Sequence, residues 1–179
     1  MPQIEIRPAK SDDIPALIAL EHNYVSDFVW QMDLQRDEHK TSIIFRQVRL
    51  PRSVRVNYPR SPQALSDEWT KRSCVLVASM EAEIVGYACL MNNMAPKTTW
   101  VTDLVVLRRQ RRQGIGTALL LASQDWVLQK KNRRIILEMQ PKNFPAISLA
   151  QKLGFDLCGY NDHYYTNQDI ALFFSKWLR

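Results

Sequence analysis

The stretch RRQRRQGIGT, residues 108–117, runs four arginines and two glutamines into Gly-Ile-Gly. Like charges packed this densely repel one another unless an anion stands among them. The stretch follows the apolar run VTDLVVL and precedes Ile115, Ala118, Leu119, Ala122 and Trp126, which recur at helical spacing. The glycines therefore open a helix directly after a strand. The first turn of a helix leaves its backbone N–H groups unpaired and carries a positive partial charge. Glycine keeps side chains out of the way of an anion approaching those amides. With Arg111, Arg112 and Gln113 around the same point, the pattern suits a phosphate or pyrophosphate. It is neither a Walker loop, since no Lys-Ser/Thr follows the second glycine, nor a dinucleotide fingerprint, since Leu119 stands where a third glycine would. Without a ligand the same residues would form a tight turn carrying solvated arginines.

Other chemistries find little support. His22, His39 and His163 are scattered without metal-ligand spacing, so no metal site is expected. No serine sits in a Gly-x-Ser-x-Gly elbow. Cys74, Cys89 and Cys158 are far apart and odd in number, which argues against a disulfide framework and fits a reducing cytosol. The formal charge of +6 favours anionic partners. Arg46, Arg49, Arg52, Arg55 and Arg60 alternate with Phe45, Val54 and Tyr58, the best case for a nucleic-acid surface. On strands the same alternation is one basic solvated face, and that reading is preferred. The polar start MPQIEIRPAKSDD lacks an apolar signal core, and no run approaches the ~20 apolar residues of a membrane span. The expectation is a cytoplasmic protein without membrane attachment.

The elements that must position the cluster alternate between strand and helix. QIEIR alternates as a short strand, and Ser11 with Asp12 and Asp13 offers a start for a helix through Ile14, Leu17 and Ile18. SIIFRQVRLPRSVRVNY suggests two extended segments around Pro51, followed by a short helix from Ser66 to Lys71. CVLVASM and IVGYACLM form a hairpin about EAE, and TTWVTDLVVL is a further strand. The glycine-led helix ends at KKNRR, IILEM is a strand, and Asn143 with Pro145 starts a helix that stops at Gly154. FDLCGY and DIALFFSKWL close the chain as strands. The order predicts an α/β (α+β) fold in one domain over residues 1–179.

RRQGIG resembles the Arg/Gln-x-x-Gly-x-Gly/Ala signature of the GNAT acetyltransferase superfamily. LVVL is similar to that family's fourth strand, and NFPAISLAQKLGF to its Asn-x-x-Ala…Gly-Phe element. The strand–helix–helix–strand opening of the family also fits residues 1–90. The resemblance implies a central mixed sheet, splayed between its fourth and fifth strands to admit acetyl-CoA and flanked by helices. It implies further that the backbone of Leu104, Val105 and Val106 holds the pantetheine arm. An N–H of Leu104 or Val106 would stabilise the oxyanion when an amine attacks the thioester. Arg111, Arg112, Gln113, Gly114, Ile115, Gly116 and Thr117 would cradle the pyrophosphate, and Asn143 would contact the pantetheine or the end of the second helix.

An alkylamine with a pKa of about 10.4 arrives protonated and needs a base. Asp103, beside the cofactor strand, is the first candidate and Glu138 the second; either could instead be a paired structural acid. The family's tyrosine acid is replaced by Ala150, so Tyr160, Tyr164 and Tyr165 become candidates to protonate the departing thiolate, Tyr164 first among them. The C-terminal half is similar to the streptothricin-acetyltransferase branch, which implies a cationic small-molecule amine as acceptor. Asp27, Asp33, Asp37 and Glu38 would form one wall of its site and Asp156, Asp162 and Asp169 the other. Alternatives are an acyl-CoA-binding regulatory module without turnover and a protein- or ribosome-associated acetyltransferase. A homodimer is compatible with the family.

Overall fold

The computed structural model describes residues 3–179. The absence of a signal core and the start of the single domain were read partly on Met1 and Pro2, which lie outside the described residues. A seven-stranded mixed sheet is built from β1 (Ile4–Pro8), β4 (Cys74–Met80), β5 (Glu83–Asn92), β6 (Thr98–Val106), β7 (Arg134–Met139), β8 (Asp156–Asn161) and β9 (Ala171–Trp177). Their spatial order is β1-β4-β5-β6-β7-β9-β8. β2 (Tyr24–Asp37) and β3 (Lys40–Val56) form a separate two-stranded sheet. The β4–β5 turn is just Glu81 and Ala82, both with positive φ, the conformation a two-residue hairpin demands.

Two apolar layers enclose the main sheet. On one face α3 (Ile115–Gln129) and α4 (Phe144–Lys152) cover Leu76, Leu90, Val101, Ile135 and Leu137. On the other, α1 (Ile14–Ile18) and α2 (Ala64–Glu68) close over Val75, Val77, Tyr87 and Val105. The core stripe of α3 is Ile115, Leu119, Leu120, Ser123, Gln124 and Val127. Trp126, expected on that stripe, lies on its flank with the Lys130 ammonium 5.5 Å from its ring centroid.

The opening of the chain departs from expectation in two ways. Strand, helix, helix and strand do follow in order, but a long hairpin is inserted between the two helices. β3 is one strand, but its pairing with β2 lapses over Leu50–Ser53, opposite Asp27, so Pro51 sits in a bulge where no ladder hydrogen bond is required of it, as the expected division around this proline suggested. Apolar residues of one hairpin face then dock on the main body. Phe28 packs on Phe144, Trp30 on Phe174 and Phe45 on Tyr160, at centroid distances of 4.6, 5.5 and 5.6 Å.

Secondly, Ser11 does not cap α1. Ser11–Asp13 is a 3-10 turn, and the Asp13 carboxylate accepts the Lys10 N–H at 2.7 Å. Arg7 grips the same carboxylate with both terminal nitrogens, at 2.7 and 2.8 Å. Asp13 wins the position because one side chain serves backbone and guanidinium together. The hydrogen bond from Arg7 holds the Asp13 carboxyl down at about 2, against burial. A depressed carboxyl pKa stabilises the fold above its unfolded value near 3.9 and loses that contribution as pH falls toward 2. Asp13→Asn should therefore cost roughly 1 kcal/mol at pH 7, after allowance for solvent at Arg7, and almost nothing at pH 2. Urea unfolding of parent and variant at both pH values checks this.

Candidate active site

The site begins where two strands part. β6 and β7 run parallel and pair from Thr98/Arg134 to Val101/Leu137, then stop. Beyond that point β6 keeps only β5 as a neighbour and β7 only β9. These are the fourth and fifth strands of the main sheet in chain order, so the splay lies where it was expected. The Leu107 N–H donates to the Val85 carbonyl on β5 at 2.8 Å. Backbone groups alternate along a strand, so the N–H groups of Leu104 and Val106 face the open side and that of Val105 faces β5. Arg111 Nε reaches the Val106 carbonyl from that open side at 2.8 Å.

A cleft of about 690 Å³ opens on the splay from the α3 side. Leu104, Val105, Val106, Arg111, Arg112, Gly114, Ile115, Gly116, Thr117 and Asn143 all line it; Gln113 does not, and its amide donates to the Arg109 carbonyl at 3.4 Å. No side chain caps the N-terminus of α3, and its first turn faces the cleft. Gly114 adopts φ +86°, and a Cβ there would meet nothing within 4 Å. Open space above uncapped amides is what a phosphate group needs. A Cβ on Gly116, by contrast, would stand 3.0 Å from Leu149 Cδ2, so this glycine lets α3 and α4 approach.

The arginine cluster divides by task. Arg109 pairs with Glu83 on the neighbouring hairpin. Arg111 turns inward, donating to the carbonyls of Val106 and Glu21 at 2.8 and 2.6 Å, and ties the end of β6 to the segment after α1. Arg108, Arg112 and Lys152 remain on the cleft, and among the described residues none of the three makes an ion pair. Asn143 serves the end of the second long helix, its Oδ1 accepting the Ala146 N–H at 3.3 Å.

A second cavity, about 40 Å³, lies within the splay itself. Tyr24, Tyr58, Leu104, Asn143 and Ala146 line both spaces and mark their junction. The smaller one adds Arg60, Glu138, Gln140 and Tyr165. Glu138 has a fully buried side chain, paired with Arg60 and accepting the Tyr164 hydroxyl at 3.0 Å. Burial pushes its carboxyl up, with Arg60 and Tyr164 pulling the other way. Tyr164 is pushed up to about 12, by burial first and then by Glu138.

Asp103, the first candidate base, sits behind this cavity and lines neither space. Its carboxylate accepts from the Tyr58 hydroxyl and, at 2.8 Å, from Thr102 Oγ1, with Arg60 3.8 Å away. The Tyr164 hydroxyl is turned to Glu138 rather than to the junction. Tyr24 and Tyr58 hold the junction, and sequence reading missed both. Tyr24 donates to Gln140 Oε1 at 2.7 Å, and Gln140 in turn donates to Asp169 at 2.6 Å. Arg60 was also missed, as one of five arginines on an alternating face. The acids expected as substrate walls lie elsewhere: none of Asp27, Asp33, Asp37, Glu38, Asp156, Asp162 and Asp169 lines either space. The hairpin carries the first four away from the splay, where Asp33 pairs with Arg46 and Asp27 with Ser53.

Among the described residues no helix is long and apolar enough to cross a membrane, and no three metal-binding side chains cluster. Gly114→Leu should push a side chain from the α3 N-terminus into the cleft and add the strain of a left-handed non-glycine residue, about 1–2 kcal/mol. Calorimetric titration with acetyl-CoA should show binding weakened at least tenfold, while thermal unfolding stays cooperative.

Known proteins share this fold. The Acetyltransferase (GNAT) family profile matches residues 40–155. Streptothricin acetyltransferase of Streptomyces lavendulae is 24% identical over 168 residues, covering 90% of this chain and 86% of that protein. An N-alpha-acetyltransferase of Sulfurisphaera tokodaii is 34% identical over 112 residues, or 53% of this chain; the match spans 64% of that relative's length. In fold, a nourseothricin acetyltransferase superposes with a TM-score of 0.84 at 22% identity, covering 98% of this chain and 99% of its own. A putative streptothricin acetyltransferase from Bacillus anthracis, solved in complex with acetyl coenzyme A, gives 0.75 at 18% identity, with 98% and 100% covered. With the splay, the uncapped α3 N-terminus and the family profile in agreement, the chain belongs to the GNAT acetyltransferase family.

Proposed function

We propose that the chain, acting as one domain, transfers the acetyl group of acetyl-CoA to an amino group of a cationic small molecule. The observation that carries this reading is the charge balance of the buried cluster at the splay. Arg60 and Glu138 line the cavity and offset each other, and the Asp103 carboxylate behind its wall leaves the cluster at a formal net charge of −1, with Tyr24, Tyr58 and Tyr165 on the cavity wall and Tyr164 against Glu138. Such a site attracts an ammonium group despite the +6 of the whole chain, because local charges outweigh distant screened ones. A relative matched over 90% of the chain, the streptothricin acetyltransferase, points the same way by its name.

Acetyl-CoA supplies an activated thioester. The chain's own groups then divide the remaining work. The amides of Gly114 to Thr117, with Arg108 and Arg112, hold the pyrophosphate, and Arg111 shapes the floor beneath them. The N–H of Leu104 or Val106 meets the oxyanion that develops on the acyl oxygen. Glu138 takes the proton from the attacking amine, its raised pKa suiting a base better than that of a solvated carboxylate. Asp103 acts behind it, fixing Tyr58 at the junction. Tyr24 and Tyr58 both have pKa values raised by burial, so each stays protonated beside the departing thiolate.

The N-alpha-acetyltransferase relatives favour a second reading, in which the acceptor is a protein N-terminus. Release of CoA thiol across a panel of acceptors separates the two. Polyamine-like and lysine-bearing small molecules should react at least tenfold faster in kcat/KM than neutral amines or peptide N-termini, with KM rising as salt is added. Preference for a peptide N-terminus would favour the second reading. Glu138→Gln should lower kcat by 10²–10⁴-fold, the range of general-base catalysis, with acetyl-CoA affinity nearly unchanged.

A further inference from the structure

The ladder between β6 and β7 ends at Val101/Leu137, and the next residues on the two strands are Thr102 and Glu138. The guanidinium of Arg60 occupies that gap. Nη1 donates to the Thr102 carbonyl at 3.0 Å, and Nη2 donates to Glu138 Oε1. Asp103 Oδ1 is 3.8 Å from Nη1, and the ring of Tyr165 lies 5.2 Å beneath the guanidinium carbon. One planar group thus spans strands that no longer share a backbone hydrogen bond, and it touches both buried carboxylates. The side chains of Glu138 and Asp103 are 0% and 8% exposed, and Arg60 is 28% exposed.

Two carboxylates facing one buried gap do not both ionise without a cation between them. Arg60 comes from the segment after β3, Asp103 from β6, and Tyr164 and Tyr165 from the β8–β9 connection; these are the charged and titratable groups facing Glu138. Arg60 is the only cation among them. Burial works against its charge, yet Asp103 and Glu138 together hold its proton more tightly than in water.

We propose that Arg60 is a positioning residue of the acetyl transfer: it bridges the parted strands and keeps Glu138 an ionised carboxylate, with Oε2 turned toward Tyr164 and the acceptor. The inference rests on Glu138 as the base. Lysine cannot replace the bridge in full, since a single ammonium lacks the fork that reaches a carbonyl and a carboxylate at once.

The test is the pH profile of kcat/KM for parent, Arg60→Gln and Arg60→Lys, alongside acetyl-CoA affinity by calorimetry. Glutamine can still donate to Thr102 but brings no charge. Without the cation Glu138 binds its proton more tightly, so the acid limb of the profile moves to higher pH. Arg60→Gln should shift that limb up by at least one unit, a loss that approaches tenfold or more on the acid side of the limb and is recovered on the alkaline side, with acetyl-CoA affinity within threefold of parent. Arg60→Lys should shift it by less than glutamine does. A purely structural arginine would instead lower activity at every pH or weaken acetyl-CoA binding, and either result overturns the proposal, as does an unmoved limb. Should the glutamine variant fail to unfold cooperatively, the lysine variant decides: a limb raised by about half a unit supports the bridge, and an unmoved limb sinks it. Glu138→Gln keeps the two failures apart. If it retains parental activity, Glu138 is not the base; if it is inactive while the arginine variants keep the parental limb, only the role of Arg60 falls.

Discussion

Everything in the site follows from the ladder that β6 and β7 fail to complete. Four residues of β6, Asp103 to Val106, pair on one side only, and Thr102 falls in a bulge with no strand partner. A backbone polar group left without a partner in a protein interior is costly, so each such group must be met by something else. Arg60 meets the Thr102 carbonyl and Arg111 the Val106 carbonyl. The N–H groups of Leu104 and Val106 still face the open side. In the proposed reaction, donors held on a strand and free of any internal partner would meet an oxyanion without reorganising, and the broken ladder would then be useful rather than a fault.

The same break sorts the charges. On the cleft side, cations gather around the uncapped start of α3, where Arg108, Arg112 and Lys152 face outward. On the other side, two carboxylates are buried against one arginine. The +6 of the chain says nothing about this division. A thioester donor with an anionic tail and an acceptor arriving as a cation would each meet the field that suits it, from opposite sides of one sheet. Tyr24 and Tyr58 stand where these two environments touch.

Stability and function draw on separate residues in the opening third of the chain. Asp13 and Arg7 anchor α1, while the hairpin of β2 and β3 lays Phe28, Trp30 and Phe45 on the main body. That docking brings the start of β2 and the segment after β3 to the splay, delivering Tyr24, Tyr58 and Arg60. A strand pair that looks peripheral therefore supplies three groups to the site.

Local pattern was enough for much of this. The glycines after an apolar run placed the start of α3, because a helix terminus and its flexibility are short-range properties. The strands of the main sheet were legible from alternation and turn residues, as was the place where the sheet opens, through the family resemblance. Residues 24–60 were legible only in part: the break read at Pro51 is the bulge over Leu50–Ser53, but no local signal marks β2 as its partner strand. Alternation gave Arg60 the same face as four solvated arginines, and nothing local separates it from them. Its burial depends on Glu138, 78 residues away in sequence. Asp103 was found by proximity to the cofactor strand, but which way its carboxylate is engaged depends on Tyr58, 45 residues distant. Sequence determined the helix start, the strands and the kinds of charge available. Only the tertiary structure decided which charges pair, because pairing inside a splayed sheet joins segments that no local period connects.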